Sequence, residues 1–278
     1  MAAPEVVLDA HAQLGEGPVW DEKTNTLYWV DILAGRVHAH DPSGVDLTVE
    51  VGTHVGALAA RRSGGLVLAV ADGFRTLDPR SGSAELLATV DHPGPAARFN
   101  DGTCDPSGAF WAGTMAYDVT AGAGILYRLD PDRRVEPMLT GVTVSNGLAF
   151  SGDGRALYYI DTPTQRIDVF DVQPDGLASR RTLTTVDGRP DGMTLDADGC
   201  LWVAIWDGSA VHRYTPDGRL DRVIEFPVRR PTSLTFGGPG LGTLYVTSAA
   251  IGTEDPLGGA LFAVDAGVTG VPAHRYGG

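Results

Sequence analysis

Four polar residues stand directly before a glycine in one recurrent sequence context: Glu16 before Gly17, Asp101 before Gly102, Asn146 before Gly147 and Asp191 before Gly192. Two further copies of the context carry Val55 and Thr232 at the same position. Carboxylates and amides are hard oxygen donors. Three of them converging from different parts of a chain suit a divalent cation such as Ca²⁺, Mg²⁺ or Mn²⁺, with Zn²⁺ compatible at an open site. With no cation between them, the carboxylates would repel one another in a partly desolvated pocket. Asp-Gly and Asn-Gly are also common hairpin dipeptides, so the chemistry depends on where the fold places them. Glu favours no such turn, and Glu16-Gly17 in the same register supports convergence. Only three asparagines occur, Asn25, Asn100 and Asn146; Asn25 falls in a turn, and the other two fall beside or within this set.

Other catalytic chemistries lack their residues. Lys23 is the single lysine and sits in the turn-like stretch Asp21-Glu22-Lys23-Thr24-Asn25, so a buried Schiff-base lysine is not expected. There is no Gly-x-Ser-x-Gly elbow, phosphate loop or dinucleotide fingerprint. The seven histidines form no zinc-type cluster. A formal charge of −14 argues against a nucleic-acid binder. No apolar run is long enough for a membrane helix. Met1-Ala2-Ala3-Pro4-Glu5 has neither the basic end nor the apolar stretch of a leader, and Cys104 and Cys200 read as reduced core thiols, so a cytoplasmic location is expected.

The elements that must position the polar set come from an internal repeat. Gly17, Gly56, Gly102, Gly147, Gly192 and Ser233 lead six copies spaced 39–46 residues apart. Each copy holds a short apolar strand, a strand ending in aromatic or small residues, and a strand that usually runs into an Asp-Pro-like turn. The first copy is Gly17-Pro18-Val19-Trp20, Leu27-Tyr28-Trp29-Val30-Asp31 and Arg36-Val37-His38-Ala39-His40. A fourth, outer strand fits five of the gaps: Leu47–Glu50, Glu85–Ala88, Val135–Met138, Arg181–Leu183 and Val223–Phe226. The sixth gap has none, and Glu5–Leu8 can supply it. The expected fold is therefore all-β: a six-bladed β-propeller with four-stranded blades, closed by the N-terminal strand, with residues 1–278 as a single domain. The first strand of each blade lines the central channel, which aims the residue before each leading position at the axis. Among the histidines, His54 lies nearest the channel by register, beside Val55, where it would either touch a substrate or sit at the rim.

Over essentially its whole length the chain resembles the senescence-marker-protein, gluconolactonase and luciferin-regenerating-enzyme family, the regucalcin-like lactonases. Six ordered segments carry the resemblance: Leu14–Trp20, Arg98-Phe99-Asn100-Asp101-Gly102, Trp111–Met115, Ser145–Phe150, Tyr158-Tyr159-Ile160-Asp161-Thr162 and Pro190–Met193. The resemblance implies a six-bladed propeller in which Glu16, Asn146 and Asp191 bind one divalent metal, with Ca²⁺ or Zn²⁺ foremost and Mn²⁺, Mg²⁺ or Fe²⁺ compatible. It implies that Arg98 and Asn100 touch substrate, and that Asp101 acts behind the metal or through a water. Asp118 stands where some sugar-lactonase members carry a Glu that reads the sugar, and the hairpin Val119–Gly124 is shorter than in the animal members.

The activity implied is metal-dependent hydrolysis of sugar lactones such as gluconolactone, with Asp191 as both ligand and base. The partner is then a small-molecule sugar lactone, and the protein a monomer or weak oligomer without nucleic-acid or membrane partners. Two other readings stay open on the sequence: hydrolysis of other esters on the same fold, and a non-enzymatic propeller that serves as a binding platform.

Overall fold

The computed structural model of the protein describes residues 3–174 and 176–278. Met1 and Ala2, which open the stretch read above for a leader, lie outside the described residues. Among these residues, six four-stranded antiparallel sheets form, numbered here as blades 1 to 6 in chain order. Their innermost strands are Gly15–Asp21, Val55–Ala60, Ala97–Cys104, Ser145–Phe150, Arg189–Leu195 and Pro231–Gly237. Among the described residues, helical structure is confined to two single turns, Thr162–Thr164 and Pro239–Leu241. No helix among the described residues is long and apolar enough to cross a membrane.

Burial falls outward along each blade, most clearly in blade 2. Every residue of Val55–Ala60 and of its neighbour Leu66–Val70 is buried, while the outer strand Ala84–Thr89 is largely exposed. Adjacent blades are locked face to face by aromatic pairs. Trp111 of blade 3 meets Phe150 of blade 4 edge-on at 5.4 Å, and Trp202 of blade 5 meets Phe236 of blade 6 at 5.9 Å. Each of these indoles donates its N–H to the aspartate that opens the preceding turn, Trp111 to Asp105 at 2.9 Å and Trp202 to Asp196 at 2.8 Å.

The ring closes as the missing sixth outer strand required. Glu5–Leu8 pairs with Leu261–Asp265, Val6 opposite Phe262, so one blade holds both early and late chain segments. A second closure has no counterpart in the repeat. Tyr276 is fully buried between blades 2 and 3, at the end of the channel away from Glu16. Its N–H donates to Ala60 O, its carbonyl accepts from Arg62 N–H, and its hydroxyl donates to Asp130 O at 2.9 Å.

All six inner strands break register at or next to the same level of the channel. The irregularities fall between Glu16 and Val19, Val55 and Ala57, Phe99 and Asp101, Ser145 and Leu148, Pro190 and Met193, and Pro231 and Leu234. A bulge bends its strand and re-aims a side chain, and here it falls at or beside the position singled out by the sequence; in blade 3 the unpaired residue is Asn100, while Asp101 pairs with Gly113. Asp101-Gly102, Asn146-Gly147 and Asp191-Gly192 all lie inside strands, so none of the three forms a hairpin turn. Gly147 and Gly192 serve close approach between blades, whereas a Cβ on Gly102 would meet Trp111 O of its own blade. A Cβ on Gly147 would lie 2.6 Å from Met193 Cβ and 2.8 Å from Asp191 O, and one on Gly192 would lie 2.3 Å from Ser233 Oγ.

Candidate active site

A cavity of about 700 Å³ opens at the end of the channel where the inner strands begin. Its floor carries Glu16, Asn100, Asn146 and Asp191, each from the inner strand of a different blade, together with Arg98. Its walls are apolar, with Leu14, Leu33, Met115 and Val144 among them. That combination of an apolar wall and a few convergent polar groups is typical of small-molecule sites. A larger hollow of about 860 Å³ lies between blades 1 and 2, near the opposite channel end. Arg275 pairs there with Asp21, Arg61 and Arg62 donate to backbone carbonyls, and the hollow presents no comparable set of converging oxygen donors.

One hydrogen-bonded chain crosses the floor. Arg98 Nη1 donates to Asn100 Oδ1 at 2.6 Å, and Asn100 Nδ2 donates to Ser145 O at 2.9 Å and to Asn146 Oδ1 at 3.0 Å. Asn146 Nδ2 then donates to Thr162 Oγ1 at 2.8 Å, whose hydroxyl proton goes to Pro190 O at 2.8 Å. Backbone carbonyls accept only, so Ser145 O and Pro190 O fix the orientation of both amides. The chain joins blades 3, 4 and 5 and ends on the residue before Asp191.

The carboxylates are short of positive charge. Burial pushes Glu16 well above the usual carboxylate range, and the charges of Asp191 and Asp101 push it further, against Gly17 N–H and Arg98. Burial likewise raises Asp191 well above its ordinary value, helped by Asp101 and opposed by Arg189, Arg98 and a hydrogen bond from Asn146. Asp101, whose Oδ1 accepts Gly102 N–H at 2.7 Å, is pushed by burial up to about 7. Burial also lowers Arg98, which Tyr117, Glu16 and Asp191 oppose. Among the described residues no three His, Cys, Asp or Glu side chains form a metal cluster; the set on the floor mixes carboxylates with an amide.

Five of the six residues expected at the site therefore meet there: Glu16, Arg98, Asn100, Asn146 and Asp191. Asp118 does not. It is exposed, and its Oδ1 accepts both the backbone N–H and the hydroxyl of Thr120, which turns the carboxylate into its own loop. Tyr117 and Val119 occupy the rim on either side of it. His54 is also off the cavity wall, with Nδ1 2.7 Å from the Tyr117 hydroxyl, so it sits at the rim. Three contributors carry no role in the sequence reading. Thr162 orients the Asn146 amide, although it ends a segment that carries the resemblance. Arg189 and Arg230 flank Trp206 at the rim, and only tertiary structure brings them together.

Fold and pocket define a six-bladed propeller with a candidate small-molecule site at one channel end, and its relatives make the chain a lactonase, a carboxylic-ester hydrolase. The chain belongs to the SMP-30/gluconolactonase/LRE-like family, whose model matches residues 14–250. It is 39% identical to the 6-deoxy-6-sulfogluconolactonase of Pseudomonas putida over 277 residues, covering 95% of each chain. It is 38% identical to the regucalcin of Xenopus laevis, covering 99% of this chain and 98% of that one. A calcium-binding regucalcin from Agrobacterium tumefaciens superposes with a TM-score of 0.93 at 30% identity, covering 99% of this chain and 97% of that one.

Proposed function

We propose that the protein hydrolyses sugar lactones to aldonic acids with a divalent cation held by Glu16, Asn146 and Asp191. The observation that carries this reading is the convergence of buried oxygen donors with uncompensated negative charge on one cavity floor. Such a floor fits a hard cation: its donors are oxygens, its carboxylates repel without a counter-charge, and the hydrogen-bonded chain pre-sets the Asn146 amide. The calcium-binding structural relative and the lactonase relative support the same reading.

A bound cation would polarise the lactone carbonyl and lower the pKa of an attacking water. Asp191 takes the proton from that water as it adds to the carbonyl carbon, and returns it to the ring oxygen as the ester C–O bond breaks. Arg98 and Asn100 hold the sugar hydroxyls beside the reacting carbonyl, and the guanidinium's planar fork matches paired oxygens. The apolar wall restricts water to the attacking position. Asp101 lies behind the ligands and adds to their charge. Asp118 is not carried into this mechanism. The two free cysteines are both buried, which supports a reducing, cytoplasmic setting.

Calorimetric titration of Ca²⁺ and Zn²⁺ tests the ligand set. Glu16→Ala, Asn146→Ala and Asp191→Ala are each expected to weaken binding by about tenfold or more. Full affinity in Asp191→Ala would remove the constellation.

A further inference from the structure

The mouth of the cavity is apolar in a repeated way. Residues that end or follow the second strand of five blades line it: Leu33 in blade 1, Tyr117 and Val119 in blade 3, Pro163 in blade 4, Trp206 in blade 5 and Ile251 in blade 6. Among the described residues, three of the ten exposed large apolar side chains stand on this collar: Tyr117, Val119 and Ile251, at 43–48% exposure. Five of the other seven lie on outer strands, where scattered apolar residues are ordinary. Exposed apolar groups gathered around a cavity mark a binding surface instead.

The three exposed residues are pinned by polar contacts. The Tyr117 hydroxyl lies 2.7 Å from His54 Nδ1, which reaches it from the start of blade 2, and Tyr117 N–H donates to Ala96 O at 3.0 Å. Ile251 N–H donates to Gln13 O at 2.9 Å, and its carbonyl accepts from Arg230 Nη1. Val119 is held at a φ of +58°, between the bond from its N–H to Ala116 O and the Asp118 carboxylate that captures Thr120. A β-branched residue is an outlier in that region, where glycine or asparagine is the unstrained choice. Val119 is half exposed and belongs to no core cluster, so packing does not account for it. Backbone strain of this kind gathers where a site needs a particular side chain. Partners for hydroxyls are scarce at this level: Gln165 Nε2 donates to Gly188 O at 2.9 Å, and Arg189 and Arg230 bond to Asp207 at 3.2 and 2.7 Å.

We infer that the collar of Tyr117, Val119 and Ile251 is a subsite for an apolar group, and that the preferred substrate is a lactone with hydroxyls on its carbonyl side and an alkyl or aryl substituent at its far end. With the ester on the floor, Arg98 and Asn100 serve the hydroxyls beside it, and the far end meets the collar. A cavity of about 700 Å³ has room for a ring and such a substituent. Walls that are already fixed bind an apolar group without the cost of ordering them. This inference rests on the lactonase reading above and narrows its substrate class.

The test compares glucono-1,5-lactone with its 6-O-benzyl ether, by hydrolysis rate in metal-supplemented buffer. The ether should show the higher kcat/KM by about tenfold or more, mainly through KM, as for an apolar group entering an apolar pocket. Val119→Asn removes the apolar side chain yet suits the left-handed backbone. It should melt at or above the wild-type temperature while the ratio of ether to parent kcat/KM falls. Ile251→Ser should lower the ratio from blade 6, and His54→Ala should lower it by releasing Tyr117, with melting curves to establish folding. In parallel, calorimetry should show 6-O-benzylgluconate binding more tightly than gluconate to wild type, and by a smaller margin to Val119→Asn. If the parent lactone is the better substrate, or if none of the three changes moves the ratio, the collar is not the subsite and the lactonase reading stands. A wild-type dimer that Val119→Asn dissociates would make the collar a contact between copies and would overturn the subsite too. If neither lactone is hydrolysed, the lactonase reading fails; equal binding of the two acids would then overturn the subsite as well, and tighter binding of the benzyl acid would uphold it.

Discussion

Asn100 donates its amide N–H to Asn146 Oδ1 at 3.0 Å, across the boundary between blades 3 and 4. The contact ties a substrate-side residue to a proposed metal ligand. Asn146 is gripped on its other side by Thr162, which itself needs Pro190 O as acceptor. Thr162 should therefore matter for metal affinity without touching metal. Thr162→Val keeps the shape and removes the acceptor for Asn146 Nδ2. Metal Kd should rise about tenfold, in the range found for residues that orient ligands. An unchanged Kd by calorimetry would show that the Asn146 amide needs no such support.

The buried carboxylates set a pH dependence. Asp101 in the folded protein is raised to about 7, and Glu16 and Asp191 are raised as well, whereas unfolded carboxyls titrate near ~4. Between those values the folded state holds protons that the unfolded state has released. These groups thus stabilise the metal-free fold at low pH, and that contribution is lost as pH rises toward and through about 7. In chelator, the melting temperature should fall from about pH 5 to about pH 8, and Asp101→Asn should flatten the fall. Saturating metal should reverse it, because bound cation replaces the protons. A chelated protein that gains stability over the same window would contradict the electrostatics described for the floor.

Gly192 has room for no side chain, since a Cβ there would come within 2.3 Å of Ser233 Oγ. Gly192→Ala must push blade 5 from blade 6 next to Asp191. A destabilisation of about 1–3 kcal/mol is expected, typical of overpacking, together with weaker metal binding. Wild-type melting and wild-type metal affinity in this variant would show that the inter-blade spacing does not set the site.

Closure gives a prediction far from the site. Deleting residues 1–9 removes the outer strand of blade 6, and Tyr276→Ala empties the fully buried space between blades 2 and 3. If residues 1–278 behave as one domain, each change lowers the melting temperature of a single transition. For Tyr276→Ala the cost should be about 3–5 kcal/mol, as for other large buried aromatics. Two separate transitions, or an unchanged midpoint, would show that the ring does not melt as one unit.

The blades were legible because each repeats the same pattern of apolar strands and turns, and a repeat is visible however distant its contacts are. Glu5–Leu8 was legible for the related reason that the sixth gap lacked a partner. Tyr276 was not, since its contacts with Ala60, Arg62 and Asp130 occur once and have no periodicity. Glu16, Asn146 and Asp191 could be read because they share one register position of their inner strands; in blade 3 the bulge falls one residue earlier, and Asn100 reaches the floor in place of Asp101. Asp118 was expected at the sugar by resemblance, whereas its carboxylate turns into its own loop, a local turn that its spacing to Thr120 already allowed. Arg189, Trp206 and Arg230 meet only because blades 5 and 6 are neighbours, and no spacing along the chain announces it.

The central claim is that Asp191 moves the proton in a metal-assisted lactone hydrolysis, and proton release from gluconolactone at constant pH measures it most directly. The wild-type protein with divalent metal should exceed the spontaneous rate, and chelator should abolish the excess. Asp191→Asn keeps an oxygen donor but loses the proton acceptor, so its kcat should fall by about a hundredfold or more, as for loss of a general base, while its metal Kd changes less than that of Asp191→Ala. A wild-type kcat in Asp191→Asn would contradict the assignment of the base, and a wild-type protein that hydrolyses no aldonolactone with any divalent metal would contradict the function itself.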